Sequence, residues 1–192
     1  IRSYASRYGG FLVSAAINKY VYITVNNRFE DSIRVSYSKT EIADGADDIE
    51  HPIVREALRL LGLKGGLEIV SIADVPANTG LGSSGSFTVG LLNALHAFKR
   101  ESVPAEILAE EASTILMDVL GEPIGVHDQY LAALGGITCL AIDQDGTVVA
   151  SPLATSDGIG GERLDLVVRH RTFLANRQRI RQAVQGAHNF NI

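Results

Sequence analysis

The chain has 192 residues, of which 46% are hydrophobic, and it carries a formal net charge of −5 at pH 7. The apolar fraction excludes an intrinsically disordered chain, and the acidic balance argues against nucleic acid as a partner, because duplex binding needs a basic face. No apolar run approaches the roughly 20 residues that span a bilayer and no signal-peptide pattern opens the sequence, so we expect no membrane partner.

The first third of the sequence predicts three strands and one helix. FLVSAAI (11–17) and YVYITV (20–25) are rich in β-forming residues, and SIRVSYS (32–38) alternates apolar and polar residues. The acidic segment 40–50 predicts a solvated loop. HPIVREALRLLG (51–62) predicts a helix that stops at a glycine. The face expected to be buried consists of Ile53, Ala57, Leu60 and Leu61.

A further strand and helix follow in the middle of the chain. GLEIVSIADV (66–75) predicts a strand, and FTVGLLNALHAF (87–98) keeps helical spacing, so we expect a helix from about Ser84. His51 is expected at a helix start and His96 at an exposed helix position. Neither histidine has a partner at metal-ligand spacing.

The segment VPAEILAEEASTILMDVLG (103–121) predicts a second long helix. Ser102 is a plausible N-cap, Pro104 suits the first turn, and Gly121 is a typical stop.

The last predicted elements are a short helix and a hairpin. GVHDQYLAALGG (125–136) predicts a helix that ends in glycines, and ITCLAI (137–142) and TVVASPL (147–153) flank the turn signal DQDG. The single cysteine, Cys139, is expected as a buried strand thiol, and a lone cysteine favours the cytoplasm. Because strands and helices mix without regular βαβ alternation, the predicted fold class is α+β.

The tail differs from the rest of the sequence. Six arginines between residues 163 and 181 follow a glycine-rich segment, 157–162, which is a credible hinge. A solvated surface and an anion-binding patch both fit these arginines. The only methionine is Met117, so we expect the chain to lack its natural N-terminus.

The segment PANTGLGSSGS (76–86) places three glycines and three serines where a helix is predicted to begin. A helix N-terminus exposes unpaired N–H groups and attracts anions, and glycines let the backbone approach a phosphate closely. The lysine of the Walker pattern and the context of a Rossmann fingerprint are both missing. These residues alone leave a phosphate site and a glycine-rich turn with a serine cap equally open.

The longer segment PANTGLGSSGSFTVGLLNAL (76–95) resembles the central motif of the GHMP small-molecule kinases, P-x-x-x-G-L-G-S-S-x-x, which wraps ATP phosphates onto a helix N-terminus. Together with SRYGGFLVSAAINKYVYITVN (6–26) and GEPIGVHDQYLAALGGI (121–137), it resembles the D-glycero-D-manno-heptose 7-phosphate kinases more than galactokinase or mevalonate kinase. The resemblance covers roughly residues 3–150.

The resemblance implies a fold and an activity. Residues 1–162 would form an N-terminal ATP-binding domain like domain 2 of ribosomal protein S5. A C-terminal ferredoxin-like domain would be mostly missing, with 163–192 as its start or as an atypical tail. The implied reaction is ATP- and Mg²⁺-dependent phosphorylation of the anomeric hydroxyl of a phosphorylated heptose, for nucleotide-activated heptose synthesis. Nucleotide and phosphorylated sugar are therefore the implied partners, and a homodimer is left open.

The resemblance also implies residue roles. Asp128 matches the aspartate of the family's G-x-x-D-Q segment and would accept or orient the hydroxyl proton, although by itself it also fits a helix N-cap. Gln129 and Tyr130 would support the substrate side of the site, and Ser84 would contact Mg²⁺. His127 stands where close relatives have lysine, and it would bind a phosphate when protonated or be only a polar neighbour. The ATP phosphates would be bound by Pro76, Asn78, Gly80, Leu81, Gly82, Ser83, Ser84, Gly85 and Ser86.

The pattern is broken at the metal site. The family has a glutamate twelve residues before the catalytic aspartate, and this chain has Leu116 there, which offers no oxygen to Mg²⁺. On the same helical face only Ser113 is polar, and Asp118 is expected to point elsewhere. A family segment of the G-G-G-T-D type and the family's third glycine-rich motif are also absent. A degenerate kinase domain that binds nucleotide or sugar phosphate without catalysis, and an interaction domain without ligand, therefore remain alternatives.

Overall fold

The structure, a computed structural model, describes residues 2–77 and 79–153. The predictions for Asn78, for the segment 157–162 and for the arginines after it lie outside the described residues. Two compact units divide the chain. One is contiguous and comprises residues 16–135, and the other takes the flanking residues, of which 2–15 and 136–153 are described.

The elements are numbered in chain order. The helices are α1 (Arg2–Tyr8), α2 (Pro52–Leu60), α3 (Ser83–Phe98), α4 (Ala105–Ser113) and α5 (His127–Leu134). The strands are β1 (Gly10–Ala15), β2 (Val21–Asn27), β3 (Ile33–Ser36), β4 (Thr40–Ala43), β5 (Leu67–Ala73), β6 (Ile137–Ile142) and β7 (Val148–Pro152). A 3-10 turn spans Ala46–Asp48, and a π-helical segment, Thr114–Val119, continues α4.

The contiguous unit is a four-stranded sheet covered by helices. Its strand order is β2-β5-β3-β4, with β5 antiparallel to β2 and parallel to β3. Burial alternates along β3 and β5, as expected for strands that turn one face to a core. The core joins that sheet face to the helices; among its fully buried side chains are Ile33, Leu58, Leu67, Ile69, Leu91, Leu92, Leu95 and Leu116.

The second unit contains α1 and a three-stranded antiparallel sheet of order β1-β6-β7. The predicted hairpin is confirmed, since the N–H of Asp143 donates to the carbonyl oxygen of Thr147 at 2.9 Å and β6 pairs with β7. Cys139 is buried as expected, and burial raises the pKa of its thiol. Within the described part of the chain, no helix has the length and apolar character needed to cross a bilayer.

The α+β class is confirmed, but the loop predicted over residues 40–50 is wrong. That segment contains β4 and the 3-10 turn, and it buries Ala43 and Ile49. The acidic side chain of Glu41 has a structural role there, because its carboxylate accepts hydrogen bonds from the N–H groups of Glu50 and His51 at 2.7 and 3.3 Å. The acidic residues predict a solvated loop because the sequence alone does not show that Glu41 accepts these two N–H groups.

The helix predictions need two corrections. In α2 the buried residues are Ile53, Val54, Ala57 and Leu58, whereas Leu60, which was predicted inside, is 48% exposed at the end of the helix. In α4 the N-cap is Pro104 and not Ser102. The carbonyl of Pro104 accepts the first intrahelical hydrogen bond, from the N–H of Leu108 at 3.1 Å, so the helix starts too late for Ser102 to cap it.

His96 is buried, and its predicted exposed position is wrong. Its Nδ1 lies 2.8 Å from Oε2 of Glu101 and its Nε2 lies 2.9 Å from Oε2 of Glu111. Lys99 contacts Glu101 at 2.9 Å on the solvent side. Burial disfavours the charged imidazole, but the hydrogen bonds to Glu111 and Glu101 outweigh it and raise the pKa of His96. His96 therefore links the end of α3 to α4 through two ring nitrogens that both face carboxylates, an arrangement that favours the protonated ring.

We expect this contact to make the stability of the contiguous unit dependent on pH. Because the pKa of folded His96 lies above its ordinary value of 6.5, the stabilisation is complete below pH 6.5 and is lost as the pH rises through the folded pKa. His96→Gln should lower the Tm by a few degrees at pH 5.5 and by less at pH 8.5, as measured by thermal unfolding followed by circular dichroism.

His51 provides a matched control for this prediction. Burial lowers the pKa of His51, so the wild-type residue costs stability as the pH falls below 6.5. The Tm of His51→Gln relative to the wild type should therefore be higher at pH 5.5 than at pH 8.5, whereas the relative Tm of His96→Gln should be lower at pH 5.5. A Tm difference for His96→Gln that is the same at both pH values would contradict the assignment of a protonated His96.

Candidate functional site

The segment 76–86 forms a bend that leads into α3. The hydroxyl of Thr79 donates to the carbonyl oxygen of Pro76 at 3.2 Å. Gly80 and Gly82 have φ values of +74° and +72°, in the left-handed region that favours glycine. Gly82 is the N-cap of α3, and its carbonyl oxygen accepts the N–H of Ser86 at 2.9 Å. The predicted helix start near Ser84 is therefore confirmed to within one residue.

The N-terminus of α3 presents hydrogen-bond donors. The N–H groups of Ser83, Ser84 and Gly85 precede the first intrahelical bond, so the helix itself supplies no acceptor for them. Among the described residues, no side chain caps this helix. A Cβ built on Gly80 meets no atom of residues 2–77 or 79–153 within 4 Å, so those residues leave space open at the bend. The positive end of a 16-residue helix thus lies next to an accessible loop, which suits an anion.

Asp128 lies directly against this bend. It is the second residue of α5, whose N-cap is Val126, so it does not cap the helix. A Cβ placed on Gly82 would be 3.0 Å from Cγ and 3.1 Å from Oδ1 of Asp128. One placed on Gly85 would be 2.9 Å from Cβ of Asp128. The fold therefore brings the predicted aspartate and the predicted glycine loop together, although Asp128 and Ser86 are 42 positions apart in the sequence.

His127 is the neighbour of Asp128 in space as well as in sequence. Its Nε2 lies 3.3 Å from Oδ1 of Asp128, and the two side chains are 15% and 31% exposed.

Gln129 and Tyr130, the predicted substrate-side residues, are buried. With its amide nitrogen facing inwards, Gln129 donates to the carbonyl oxygens of Gly125 and Val126 at 2.9 and 3.0 Å. Burial, with the nearby carboxylates of Glu110 and Glu106, raises the pKa of Tyr130 to about 12. These contacts hold the start of α5 in place, and the substrate role of both residues remains a prediction.

The carboxylate metal site that the resemblance implies does not fit this chain. Leu116 is 0% exposed and belongs to the hydrophobic core. Ser113, its polar neighbour, donates its hydroxyl to the carbonyl oxygen of Ala109 at 2.7 Å. Across residues 2–77 and 79–153, no three His, Cys, Asp or Glu side chains are grouped so that they could hold a metal ion. The donors present suit phosphate oxygens better than a protein-bound cation.

Sequence reasoning did not identify an aromatic contact behind the first turn of α3. The ring of His51 lies 5.1 Å from that of Phe87 and 4.8 Å from that of Tyr37, between centroids. These residues come from three separate parts of the chain, namely the residue after β3, the N-cap of α2 and α3 itself, so no spacing in the sequence could have linked them. Their packing supports the helix end that carries the donors.

Comparisons with known proteins agree on one family. Residues 51–136 match the family described as GHMP kinases N terminal domain. A D-glycero-alpha-D-manno-heptose 7-phosphate kinase of Campylobacter jejuni is 26% identical over 174 residues, which cover 84% of this chain and 51% of the relative. A mevalonate kinase of Archaeoglobus fulgidus is 30% identical over 132 residues, which cover 67% of this chain and 45% of the relative.

Comparison with solved structures also finds a sugar phosphate kinase. The crystal structure of a D-glycero-D-manno-heptose 1-phosphate kinase from Bacteriodes thetaiotaomicron superposes with a TM-score of 0.73 at 25% identity. The match covers 80% of this chain and 54% of that structure. The chain thus spans about half the length of the relatives that it matches.

Proposed function

This chain carries a GHMP kinase N-terminal domain, and from that premise we propose that it is the nucleotide-binding part of a sugar kinase. The proposed reaction transfers the γ-phosphoryl group of ATP to the anomeric hydroxyl of a phosphorylated heptose, D-glycero-D-manno-heptose 7-phosphate. One observation carries the proposal: the carboxylate of Asp128 lies against the N-cap of α3, so a proton acceptor and a row of N–H donors meet at one place.

The bend and α3 supply the proposed phosphate site. The N–H groups of Ser83, Ser84 and Gly85 would donate to phosphate oxygens, and the serine hydroxyls would add further donors. Open space at Gly80 would allow the phosphates to approach the backbone. Magnesium belongs to the proposal only as the ion that accompanies ATP, where it would neutralise phosphate charge, with Ser84 as its proposed protein ligand.

The proposed chemistry needs little from the protein beyond alignment and charge. The anomeric oxygen forms a bond to the γ-phosphorus while the bond from that phosphorus to the bridging oxygen of ADP breaks. Because the transition state is loose, the hydroxyl proton is released late, and Asp128 would receive it or orient it. The helix N-terminus would stabilise the negative charge that develops on the phosphate oxygens.

A second candidate function is nucleotide or sugar-phosphate binding without catalysis. The observation that favours it is Leu116, which fills the core at the position where the resemblance implies a metal-binding glutamate. The division at residue 162, a homodimer and a cytoplasmic location remain predictions.

A substrate comparison tests the proposal. We expect the full chain with ATP to release ADP in the presence of D-glycero-D-manno-heptose 7-phosphate and not with galactose or mevalonate. The new phosphate should appear at the anomeric carbon by ³¹P NMR. The measurement also separates the candidates, because nucleotide binding without ADP release would support the second function.

Binding is measured separately with a non-hydrolysable ATP analogue. A ligand at a hundredfold excess over its Kd stabilises a protein by about 2.7 kcal/mol, which thermal unfolding detects readily. The absence of any thermal shift with the analogue or with the heptose phosphate would contradict both functions and favour an interaction domain.

A further inference from the structure

We propose that the outer edge of β2 pairs with β2 of a second copy of this chain, in an antiparallel ladder with a two-fold axis at Thr24. Strand β2 is hydrogen-bonded to β5 on one side, and no strand from residues 2–77 or 79–153 lies along its other side. The N–H and C=O groups on such an edge are a template for another strand. The inference is independent of the proposed function, because no nucleotide takes part in it.

The edge lacks the features that usually prevent strand pairing. Natural edge strands are kept apart by charged side chains, proline, bulges or short length. The sequence of β2, VYITVNN, contains neither a charged residue nor a proline, and its seven residues pair with β5 in unbroken register. The opposite edge of the sheet, β4, is only four residues long and carries Glu41. Of these two edges, β2 is therefore the one suited to pairing.

The core side of β2 is also incompletely covered. Its inward side chains, Val21, Ile23 and Val25, are partly buried, although Ile23 reaches α3, where a Cβ on Gly90 would be 3.5 Å from its Cγ1. The inward apolar residues of β3 and β5 are at most 1% exposed. A strand added beside β2 would cover the remaining apolar surface, which favours pairing.

Hydrogen bonds at the two ends of β2 show which of its groups point outward. The N–H of Asp74 donates to the carbonyl oxygen of Tyr20 at 3.0 Å, and the N–H of Arg28 donates to that of Gly66 at 2.8 Å. Because hydrogen-bonded pairs alternate along an antiparallel ladder, the even-numbered residues of β2 bond to β5. The residues whose N–H and C=O groups point outward are therefore Val21, Ile23, Val25 and Asn27.

These four outward residues are symmetric about Thr24, which argues for a second copy as the partner. In a two-fold ladder centred there, residue 21 pairs with residue 27 of the other copy and residue 23 with residue 25. Every outward backbone group of the strand is then used. The two Thr24 side chains face each other in a non-hydrogen-bonded pair, where side chains are closest.

The charges that flank β2 are compatible with the same register. Continued beyond the strand, it places Tyr20, which is 58% exposed, opposite Arg28 of the second copy, and a guanidinium is attracted to an aromatic face. Lys19 lies opposite Phe29 and one position from Glu30. From residue 17 to residue 31 no two like charges are opposed. Self-pairing therefore carries no electrostatic penalty and gains complementary contacts at both ends.

The first experiment is sedimentation velocity of the full chain over a range of concentrations. We expect a dimer that dissociates on dilution. Thr24→Lys places two ammonium groups at the axis and should raise the dimer Kd at least about tenfold, because like charges then face each other. Thr40→Lys is the matched control, since Thr40 is also an exposed threonine on an edge strand of this sheet. It should leave the Kd unchanged.

The second experiment tests the register by disulfide cross-linking. Thr24→Cys should give a disulfide-linked dimer on mild oxidation, because Cα atoms in a non-hydrogen-bonded pair are about 4.5 Å apart. Asn26→Cys, on the same face of the same strand, should not, because its two copies would be roughly 14 Å apart along the ladder. The native thiol of Cys139 is buried, so the wild-type chain should remain uncross-linked.

Three results would each overturn the inference. One is a wild-type chain that is still monomeric at about 100 μM, which would mean that the β2 edge is closed to a second copy. Another is equal weakening of the dimer by Thr24→Lys and Thr40→Lys. The last is equal cross-linking through positions 24 and 26. None of these measurements needs nucleotide or turnover, so failure of the proposed function would leave their outcome unaffected.

Discussion

Asp128→Asn is expected to lower the kcat of phosphoryl transfer to the heptose phosphate by roughly 10²–10⁴-fold, the usual contribution of a positioned general base. Asparagine keeps the size and position of the side chain against Gly82 but cannot take a proton. The affinity for a non-hydrolysable ATP analogue should stay close to that of the wild type, because the α3 donors are untouched. Steady-state ADP release and calorimetry measure the two quantities.

Asp44→Asn is the control for this variant, since Asp44 is an exposed aspartate in the same unit. It should leave both kcat and nucleotide affinity unchanged. If Asp128→Asn turned over at the wild-type rate, Asp128 would have no place in the mechanism, and the contact between α5 and the bend would be structural only.

Leu116→Glu is expected to cost about 3–5 kcal/mol of unfolding free energy at pH 7, because it places an unpaired carboxylate in the core. The resemblance alone suggests the opposite, namely that a glutamate at this position would restore Mg²⁺-dependent nucleotide binding. Burial raises the pKa of an introduced carboxyl group, so the cost should shrink as the pH falls and the group becomes neutral. Urea unfolding at pH 7 and pH 5 measures both the cost and its pH dependence.

Leu116→Met is the matched control, since it keeps the volume and apolar character and should cost less than about 1.5 kcal/mol. A stable Leu116→Glu variant that binds nucleotide more tightly in the presence of Mg²⁺ would show that position 116 lines the metal site after all. That result would favour catalysis over simple binding.

Much of the fold follows from local patterns. The β-rich runs predict β2 and β5, apolar spacing predicts α3, and the DQDG signal predicts the hairpin, all of which the structure contains. In each case neighbouring residues supply the determining interaction, so a short window of sequence is informative.

The predictions are wrong where a side chain bonds to a residue that is distant in the sequence. The acidic residues before α2 predict a solvated loop. In the structure, however, Glu41 accepts the N–H groups at the start of that helix. His96 looks exposed until Glu111, on the next helix, is placed beside it. No spacing rule provides such pairs.

The candidate site was predictable in part, for the same reason. The donors of a helix N-terminus depend on neighbouring residues, so the sequence of the glycine bend is enough to indicate a candidate site. Asp128, in contrast, is indicated only by resemblance to a family. The contact between Asp128 and Gly85 depends on the packing of α3 against α5, which neither composition nor motif records.

The pairing of β1 with β6 has a consequence for synthesis on the ribosome. Each residue of β1 pairs with one that is translated 122 to 132 positions later. At about 5–20 residues per second, this strand waits about 6 to 26 seconds for its partner, long enough for nascent-chain binding factors to engage it. Residues 16–135 are complete before that partner emerges, so this unit can begin to fold while β1 still lacks its pairing with β6.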